Sequence, residues 1–573
     1  MKEHVLARPR RRGGDRSFVV TAGVLVAIGS ALILCLLAIL VVQSFSSSGN
    51  YASLITPTVI RIVLNSVELA AIATVVAFFF ALPIAWLVER TKVHGKAAIV
   101  SIMLVSMLVP GFAIAMGWLF LLHPQIGLIN RLSAAAFGPA HPVLNVVTIT
   151  GMGIIMGFQL APVAFLMVSA ALRSLDYRLE EAASTAGAPD IAAIRRIVLP
   201  LIRPALVSSA IYVFIIAFGT FDVPAIIGWG NRIFTFSTYV YLTTNPQAGL
   251  PDYGRAGALS VAVLGAALLL TVWSRYLSLD SKRFAVVSGK GYQTTQLALG
   301  RWAFAAYAFV TVYLVAGILL PLAVVLWESF LPFVQPLSAA TLHVANLANY
   351  NAIFGDAFFS GLANSALLMA VVPPIVLVFS FAFSWIGFRT QLRGRALLDG
   401  IAFLPHAVPS VIMAVGVILL SLYGLNHLFQ LYGTIWIIVL AYSVSWVSYG
   451  TRMTNSGLLQ LSRELEESAN VSGANTWATV RTIVLPLISR TLSLAWVYLV
   501  ILAGRELTLA VLLTTPGNTT VPAFVWITWL NGSLTRGAAA TVCYLICLSP
   551  LIVGYSFLLN RTRRSSTAVG SPV

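Results

Sequence analysis

The chain has 573 residues, of which 59% are hydrophobic and 9% charged, and its formal net charge is +17. Soluble domains hold roughly 25% charged residues, so a soluble enzyme of this size is excluded, and the long apolar blocks point to lipid as the solvent. The basic excess admits either a nucleic-acid partner or loops held on one side of a membrane, and the placement of the charges decides between them.

Residues 1–17 form a polar tail carrying Lys2, Arg8, Arg10, Arg11, Arg12 and Arg16. The apolar run that follows is longer than a signal-peptide core and has no small-residue cleavage site, so it reads as an uncleaved first span. A helix rising 1.5 Å per residue crosses a hydrocarbon core of roughly 30 Å in about 20 residues. Blocks of that length lie at 18–42, 63–88, 98–122, 145–170, 205–228 and 256–277, then at 303–327, 364–387, 401–420, 433–450, 491–514 and 538–559. The fold class is therefore an all-α polytopic membrane protein, with about 12 transmembrane helices as two parallel six-helix repeats. Polar residues interrupt the spans that begin near 205 and 491. With the N-terminus inside, the inner tails and loops hold 29 of the 35 Lys and Arg. This positive-inside bias accounts for the net charge and leaves no clustered basic face for nucleic acid. Cys35, Cys543 and Cys547 lie in apolar runs and form neither a metal-ligand spacing nor a disulfide framework.

The two halves repeat one another. Asn65-Ser66 recurs as Asn364-Ser365, Pro110 as Pro409 and Gly117 as Gly416, each 299 residues on. In the large inner loops Glu181 recurs as Glu467, Gly187 as Gly473, Arg195 as Arg481 and Pro200 as Pro486, each 286 residues on. The drop in offset matches a longer outer loop around 123–144. The expected organisation is a basic tail at 1–17 and a first half at 18–277 with its inner loop at 171–203. A linker at 278–300 leads to a second half at 301–560 with its inner loop at 451–490, and a tail occupies 561–573.

The inner loops carry chemistry beyond a connector. Leu172, Leu175, Leu179, Ala182 and Ala186 recur at helical steps and predict a short amphipathic helix. Gly187 interrupts it, Asp190 is placed to cap a second helix, and Pro200 marks re-entry into the bilayer. Gly473, Asn475 and Pro486 repeat the pattern. Such a helix–turn–helix fits a gap in a partner, with the carboxylates of Glu181 and Glu467 offered to it. The plainer alternative is that these carboxylates face solvent or pair with Arg178 and Arg463.

These loops resemble the E-A-A-x-x-x-G motif of ABC importer permeases, which continues after nine residues as I-x-L-P. Glu181, Ala182, Ala183, Gly187, Ile197, Leu199 and Pro200 match it, as do Glu467, Gly473, Ile483, Leu485 and Pro486; the second copy has Ser468 and Ala469 in place of two alanines. The resemblance implies that each loop docks on one of two copies of a cytoplasmic ABC ATPase. It further implies a substrate-binding protein on the outer face and residence as a multi-pass protein of the bacterial inner membrane, with both termini cytoplasmic. The fused form is similar to iron(III) permeases, which implies iron(III) as cargo; thiamine, phosphonate, polyamine or another small solute remain alternatives on the same architecture. No GxxxxGK[ST] sequence is present, so the chain is expected to be a transport subunit and no enzyme, with ATP and Mg held by the ATPase and no cofactor of its own.

Ionisable residues within apolar segments are functional candidates. Arg505-Glu506 and Asp222 stand out, either lining a pathway or bracing a span interface. Their positions in the two halves are similar without being identical, which suggests unequal contributions. His406, after Pro405 and near the inner end of its span, reads as locally hydrogen-bonded, and no metal-ligand cluster is evident. A secondary transporter also fits two parallel six-span halves, but it predicts charges deep in several spans and gives the paired loops no role.

Overall fold

The computed structural model describes residues 13–568, except 48, 139–142, 176–177, 188, 247–248, 282–296, 336–338, 391, 393 and 426–428. The linker and the N-terminal tail thus lie largely outside the described residues, as do residues 569–573 of the C-terminal tail. Among those described the chain is helical, and its single β contact is an isolated parallel bridge between Thr91 and Leu297.

Among the described residues, nine helices are long and apolar enough to cross a membrane. Numbered by their place among the twelve predicted, they are span 1 (Ser17–Ser44), span 2 (Pro57–Arg90), span 4 (Ile149–Arg173), span 5 (Ile194–Gly219) and span 6 (Tyr253–Ser274) in the first half. The second half supplies span 7 (Trp302–Ser329), span 8 (Asp356–Arg389), span 11 (Thr476–Arg505) and span 12 (Leu534–Tyr555). Spans 3 and 9 are broken helices: Lys96–Leu108 meets Gly111–Leu122 at 91°, and Arg395–Ala407 meets Ser410–Gly424 at 105°. The tenth place is taken by a 25-residue helix, Ile435–Leu459. Its buried positions include Ser443, Ser445, Ser448, Thr451, Thr454 and Asn455, so it is less apolar than the others.

The breaks follow from proline. Val109 and Val408 precede Pro110 and Pro409, and a residue before proline is driven out of the helical region. Both valines and both prolines are extended, with ψ between 123° and 138°. Two successive extended residues turn each span sharply at the same repeat position. His406 consequently sits at the break in the middle of span 9, not near its inner end.

Spans 5 and 11 depart from expectation at both ends. Pro200 and Pro486 do not separate a surface helix from a span. Each lies within one continuous helix, directly after a π-helical turn at Ile194–Val198 or Val480–Val484. The wider turn accommodates a residue that has no N–H and would crowd the preceding turn of an α-helix. The helices then stop at Gly219 and Arg505, and Thr220 and Glu506 are extended. What reads as one span at 205–228 or 491–514 is a helix end, a break and a further short helical turn.

The halves interlock through their first spans. Span 1 packs on spans 8 and 9, while Leu320–Ser329 of span 7 packs on Gly111–Leu122 of span 3. A Cβ at Gly117 would overlap the Pro321 carbonyl, and one at Gly416 would overlap the Leu36 side chain. The repeated glycines therefore permit the close approach of a helix from the opposite half, which is how membrane helices associate without a hydrophobic drive. The repeated Asn-Ser pairs serve a different contact. Asn65 Nδ2 donates to Phe234 O at 3.1 Å and Asn364 Nδ2 to Thr519 O at 2.9 Å. Ser66 Oγ accepts from Phe236 N at 2.7 Å and Ser365 Oγ from Val521 N at 3.0 Å, at the first residues of helices Phe236–Thr244 and Val521–Leu530. Span 2 or 8 thereby satisfies a helix N-terminus that would otherwise be left open in an apolar setting.

Candidate functional site

Two regions bear on function. The first lies where the large loops meet the span ends. The short helices are Arg178–Thr185 and Arg463–Val471. Gly187 and Gly473 follow them with φ of +80° and +91°. No atom lies within 4 Å of a Cβ built on either, so the demand for glycine is conformational, that of a left-handed helix end. Asn475 Oδ1 then accepts from Ala478 N at 2.8 Å and caps the next helix; the Asp190 side chain lies outside the described set.

The carboxylates predicted to matter, Glu181 and Glu467, are half-exposed and exposed, as are Ala183 and Ala182 respectively; Pro200 and Pro486 are also exposed. Their neighbours are the engaged residues. Arg90, the last residue of span 2, places Nε 3.3 Å from Glu180 Oε1, and its Nη2 donates to Leu172 O at 2.9 Å and Leu175 O at 3.5 Å. Arg389, the last residue of span 8, places Nε 2.8 Å from Glu466 Oε1, and its Nη2 donates to Leu458 O at 3.0 Å and Leu461 O at 3.1 Å. The accepting carbonyls close spans 4 and 10, where intrahelical donors have run out and a cation also meets the negative end of the helix. Each glutamate sits in the first turn of a short helix, where an acid is favoured. A planar guanidinium reaches both partners at once, and a lysine ammonium has no such fork. Burial outweighs the attraction of Arg389 and raises the Glu466 carboxyl above its ordinary range. The alternative partner for Glu467 does not form, because Arg463 Nη2 donates to Phe388 O. The Arg178 side chain is not among those described.

The second region is a cavity of about 220 Å³ between the halves. Gln159, Tyr212 and Asp222 line it from the first half; His406, Ser445, Tyr449, Tyr498, Arg505 and Glu506 line it from the second. Asp222, Arg505 and Glu506 are thus brought together, as a shared site requires. Arg505 and Glu506 are not neighbours on one helix: Arg505 ends span 11, and Glu506 is extended at φ −71°, ψ 118°. Arg505 Nη1 donates to Met107 O just before the break in span 3, and Glu506 Oε1 accepts from Leu509 N at 3.1 Å. Gln159 Nε2 donates to Gly111 O at 2.9 Å, on the other side of that break. The His406 and Tyr212 rings stack at 4.5 Å, with Tyr212 OH 3.5 Å from His406 Nδ1. Ser445 is 8% exposed. Among the described residues no cluster of three His, Cys, Asp or Glu has metal-binding geometry.

By the 286-residue offset, Arg505 corresponds to Gly219, Glu506 to Thr220 and Thr508 to Asp222. The ionisable groups therefore occupy non-equivalent positions around a symmetric frame. The tyrosines and Gln159 went unremarked in the sequence because each sits in an ordinary apolar span. Arg90 and Arg389 were counted only as inside charges, although their 299-residue spacing was readable.

The family of binding-protein-dependent transport system inner membrane components matches residues 81–283 and again 381–564. The chain belongs to this family. A putative ferric transport system permease protein of Haemophilus influenzae is 25% identical over 439 residues, covering 75% of this chain and 66% of that protein. This chain thus spans just under two thirds of that relative's length. The ferric transport system permease protein of Actinobacillus pleuropneumoniae is 24% identical over 517 residues, covering 88% and 72%. A putative 2-aminoethylphosphonate transport system permease protein of Salmonella paratyphi A is 28% identical over 261 residues, covering 44% of this chain and 91% of that protein. That relative has the length of one half, and the family's two matches here mark a fused pair.

Proposed function

We propose that this chain is the fused permease of an ATP-driven importer that moves iron(III) delivered by a substrate-binding protein. The observation that carries the reading is that three relatives aligned along 75%, 88% and 82% of the chain are named for ferric or Fe(3+) transport, whereas the phosphonate relative aligns with 44% of it. The cavity is chemically consistent. It presents two carboxyl groups, phenols and an imidazole against one guanidinium that is already bonded to Met107 O, a set better suited to a hard cation than to an anion.

In this reading two copies of a cytoplasmic ATPase, which hold ATP and Mg, meet the helices at Arg178–Thr185 and Arg463–Val471. Exposed Leu465, Val471 and Trp477 supply apolar surface for that contact, and Glu181 and Glu467 supply charge. The positive-inside bias supports a cytoplasmic position for these loops and both termini. Closing of the ATPases on ATP draws the loops together, and the broken spans 3 and 9 open the cavity to the outer face. Hydrolysis resets them. Asp222, Arg505 and Glu506 line the path.

The test is uptake of radiolabelled iron(III) in cells lacking and then regaining the chain, with its ATPase and binding protein present and thiamine and 2-aminoethylphosphonate as competitors. Uptake restored by the chain and competed only by iron supports the reading. Absence of iron uptake with all partners present and the chain in the membrane overturns iron as cargo.

A further inference from the structure

The two buried arginine contacts have no part in the scheme above. We propose that Arg90–Glu180 and Arg389–Glu466 are the joints that transmit motion from the loop helices into the spans. Each locks one short helix to the ends of two spans so that the three move as one body. The proposal rests on the reading of the chain as an ATP-driven permease.

The geometry argues for a joint over a mere surface contact. One guanidinium links three separate elements: carried on its own span end, it donates to the last carbonyls of spans 4 or 10 and forms an ion pair with a carboxylate on the loop helix. Both arginines are over nine-tenths buried. The loop helix is otherwise held mainly through the helix that follows it, across a left-handed glycine. A load applied to that helix alone would be absorbed by rotation at Gly187 or Gly473. The arginine bypasses this hinge and carries the load directly to spans 2 and 4, or 8 and 10.

The arrangement is also selective in what it repeats. Glu180 and Glu466, and the carbonyls of Leu172 and Leu458 and of Leu175 and Leu461, all share the 286-residue offset. The neighbouring ion pair between Glu89 and Arg173, at 2.7 Å, falls on Phe388 and Leu459 in the second half and is not repeated. A buried ion pair adds little stability over an apolar pair of the same shape, yet it fixes relative position because breaking it strands a charge. That is the property a transmitting joint needs. Arg90, Glu180, Arg389 and Glu466 are positioning residues in this account; none touches cargo.

The test uses the complete complex of this chain with its ATPase and binding protein in proteoliposomes. ATP hydrolysis and iron(III) uptake are measured together for the unaltered chain, for Arg90→Gln with Arg389→Gln, and for Glu180→Gln with Glu466→Gln. The expected result is that the ATPase still co-purifies and still hydrolyses ATP, while ATP consumed per ion imported rises on the order of tenfold, within the usual range of coupling between sites. A parallel fall of hydrolysis and uptake, or an unchanged ratio, overturns the proposal. A second measurement is independent of cargo. Spin labels at Val471→Cys and Leu459→Cys, with Cys35, Cys543 and Cys547 replaced by serine, report the distance from the loop helix to the end of span 10. A single distance, unchanged between nucleotide-free and ATP-bound complexes and broadened by Glu466→Gln, is expected. A distance that shifts with ATP in the unaltered chain, or that ignores Glu466→Gln, overturns the joint. Absence of iron uptake by the unaltered complex with the single distance intact would remove iron as cargo and leave the joint standing.

Discussion

The loop ends of the two halves are near copies, whereas the cavity between the halves is not. At the loop ends the arginine, the glutamate, two carbonyls and the left-handed glycine recur atom for atom. In the cavity Arg505 and Glu506 correspond by the 286-residue offset to Gly219 and Thr220, and Asp222 to Thr508. The difference follows from what each region meets. On the proposed function, two like ATPase subunits would need two like contacts, whereas a solute crossing between the halves would meet both at once and gain nothing from duplicated charges. A duplicated gene product can therefore hold one region constant while the other diverges.

Substitutions that treat equivalent positions as a pair sharpen this comparison. The largest effect is expected in the cavity and in one half only. Glu506→Ala in the second half strands the Leu509 N–H and the neighbouring Arg505 charge in an apolar setting and is expected to cost about 3 kcal/mol, while Thr220→Ala, at the equivalent position of the first half, leaves thermal unfolding in detergent unchanged. Equal losses at both would contradict the asymmetry. Gly117→Leu drives a side chain into the Pro321 backbone and Gly416→Leu drives one into the Leu36 side chain; each is expected to cost about 2 kcal/mol or more, Gly117→Leu the more because backbone cannot step aside, read as drops in unfolding temperature. Gly187→Ala and Gly473→Ala meet no neighbouring atom, and they are expected to cost about 1 kcal/mol each from backbone strain alone. Unequal losses at Gly187 and Gly473, or a larger loss at Gly416 than at Gly117, would show that the frame itself has diverged.

The smallest effect is a pH dependence. The Glu466 carboxyl is raised because burial outweighs the pull of Arg389. The folded chain then holds that proton to higher pH than the unfolded chain. The associated stability is fully present below the ordinary carboxylate range and is lost as pH rises through the raised value. Glu466→Gln should flatten this slope in unfolding measured across that window, and an unchanged slope would assign it to another group.

Much of the frame was legible in the sequence because apolar blocks, inside charges and repeat offsets are properties of single segments. Asn475 as a cap and the paired Asn-Ser landmarks belong to that class. The breaks at Pro110 and Pro409 were half legible: proline in a span signals a bend, but bends near 90° depend on the extended valine before it and on room to turn. The motif names Glu181 and Glu467, whereas burial and the arginines select the preceding residues, Glu180 and Glu466. Only the fold brings Arg90, 90 residues away, to that face. The cavity was least legible, because Tyr212, Tyr449 and Tyr498 have no spacing that links them until two broken and two ended helices converge.

The most direct test of the account is transport by the purified chain with its ATPase and binding protein in sealed proteoliposomes, following radiolabelled iron(III) with and without ATP. The account predicts accumulation against the gradient that requires ATP and the binding protein together. Iron entry that proceeds without ATP, down its gradient or driven by a proton gradient, would contradict it and return the chain to the class of secondary transporters.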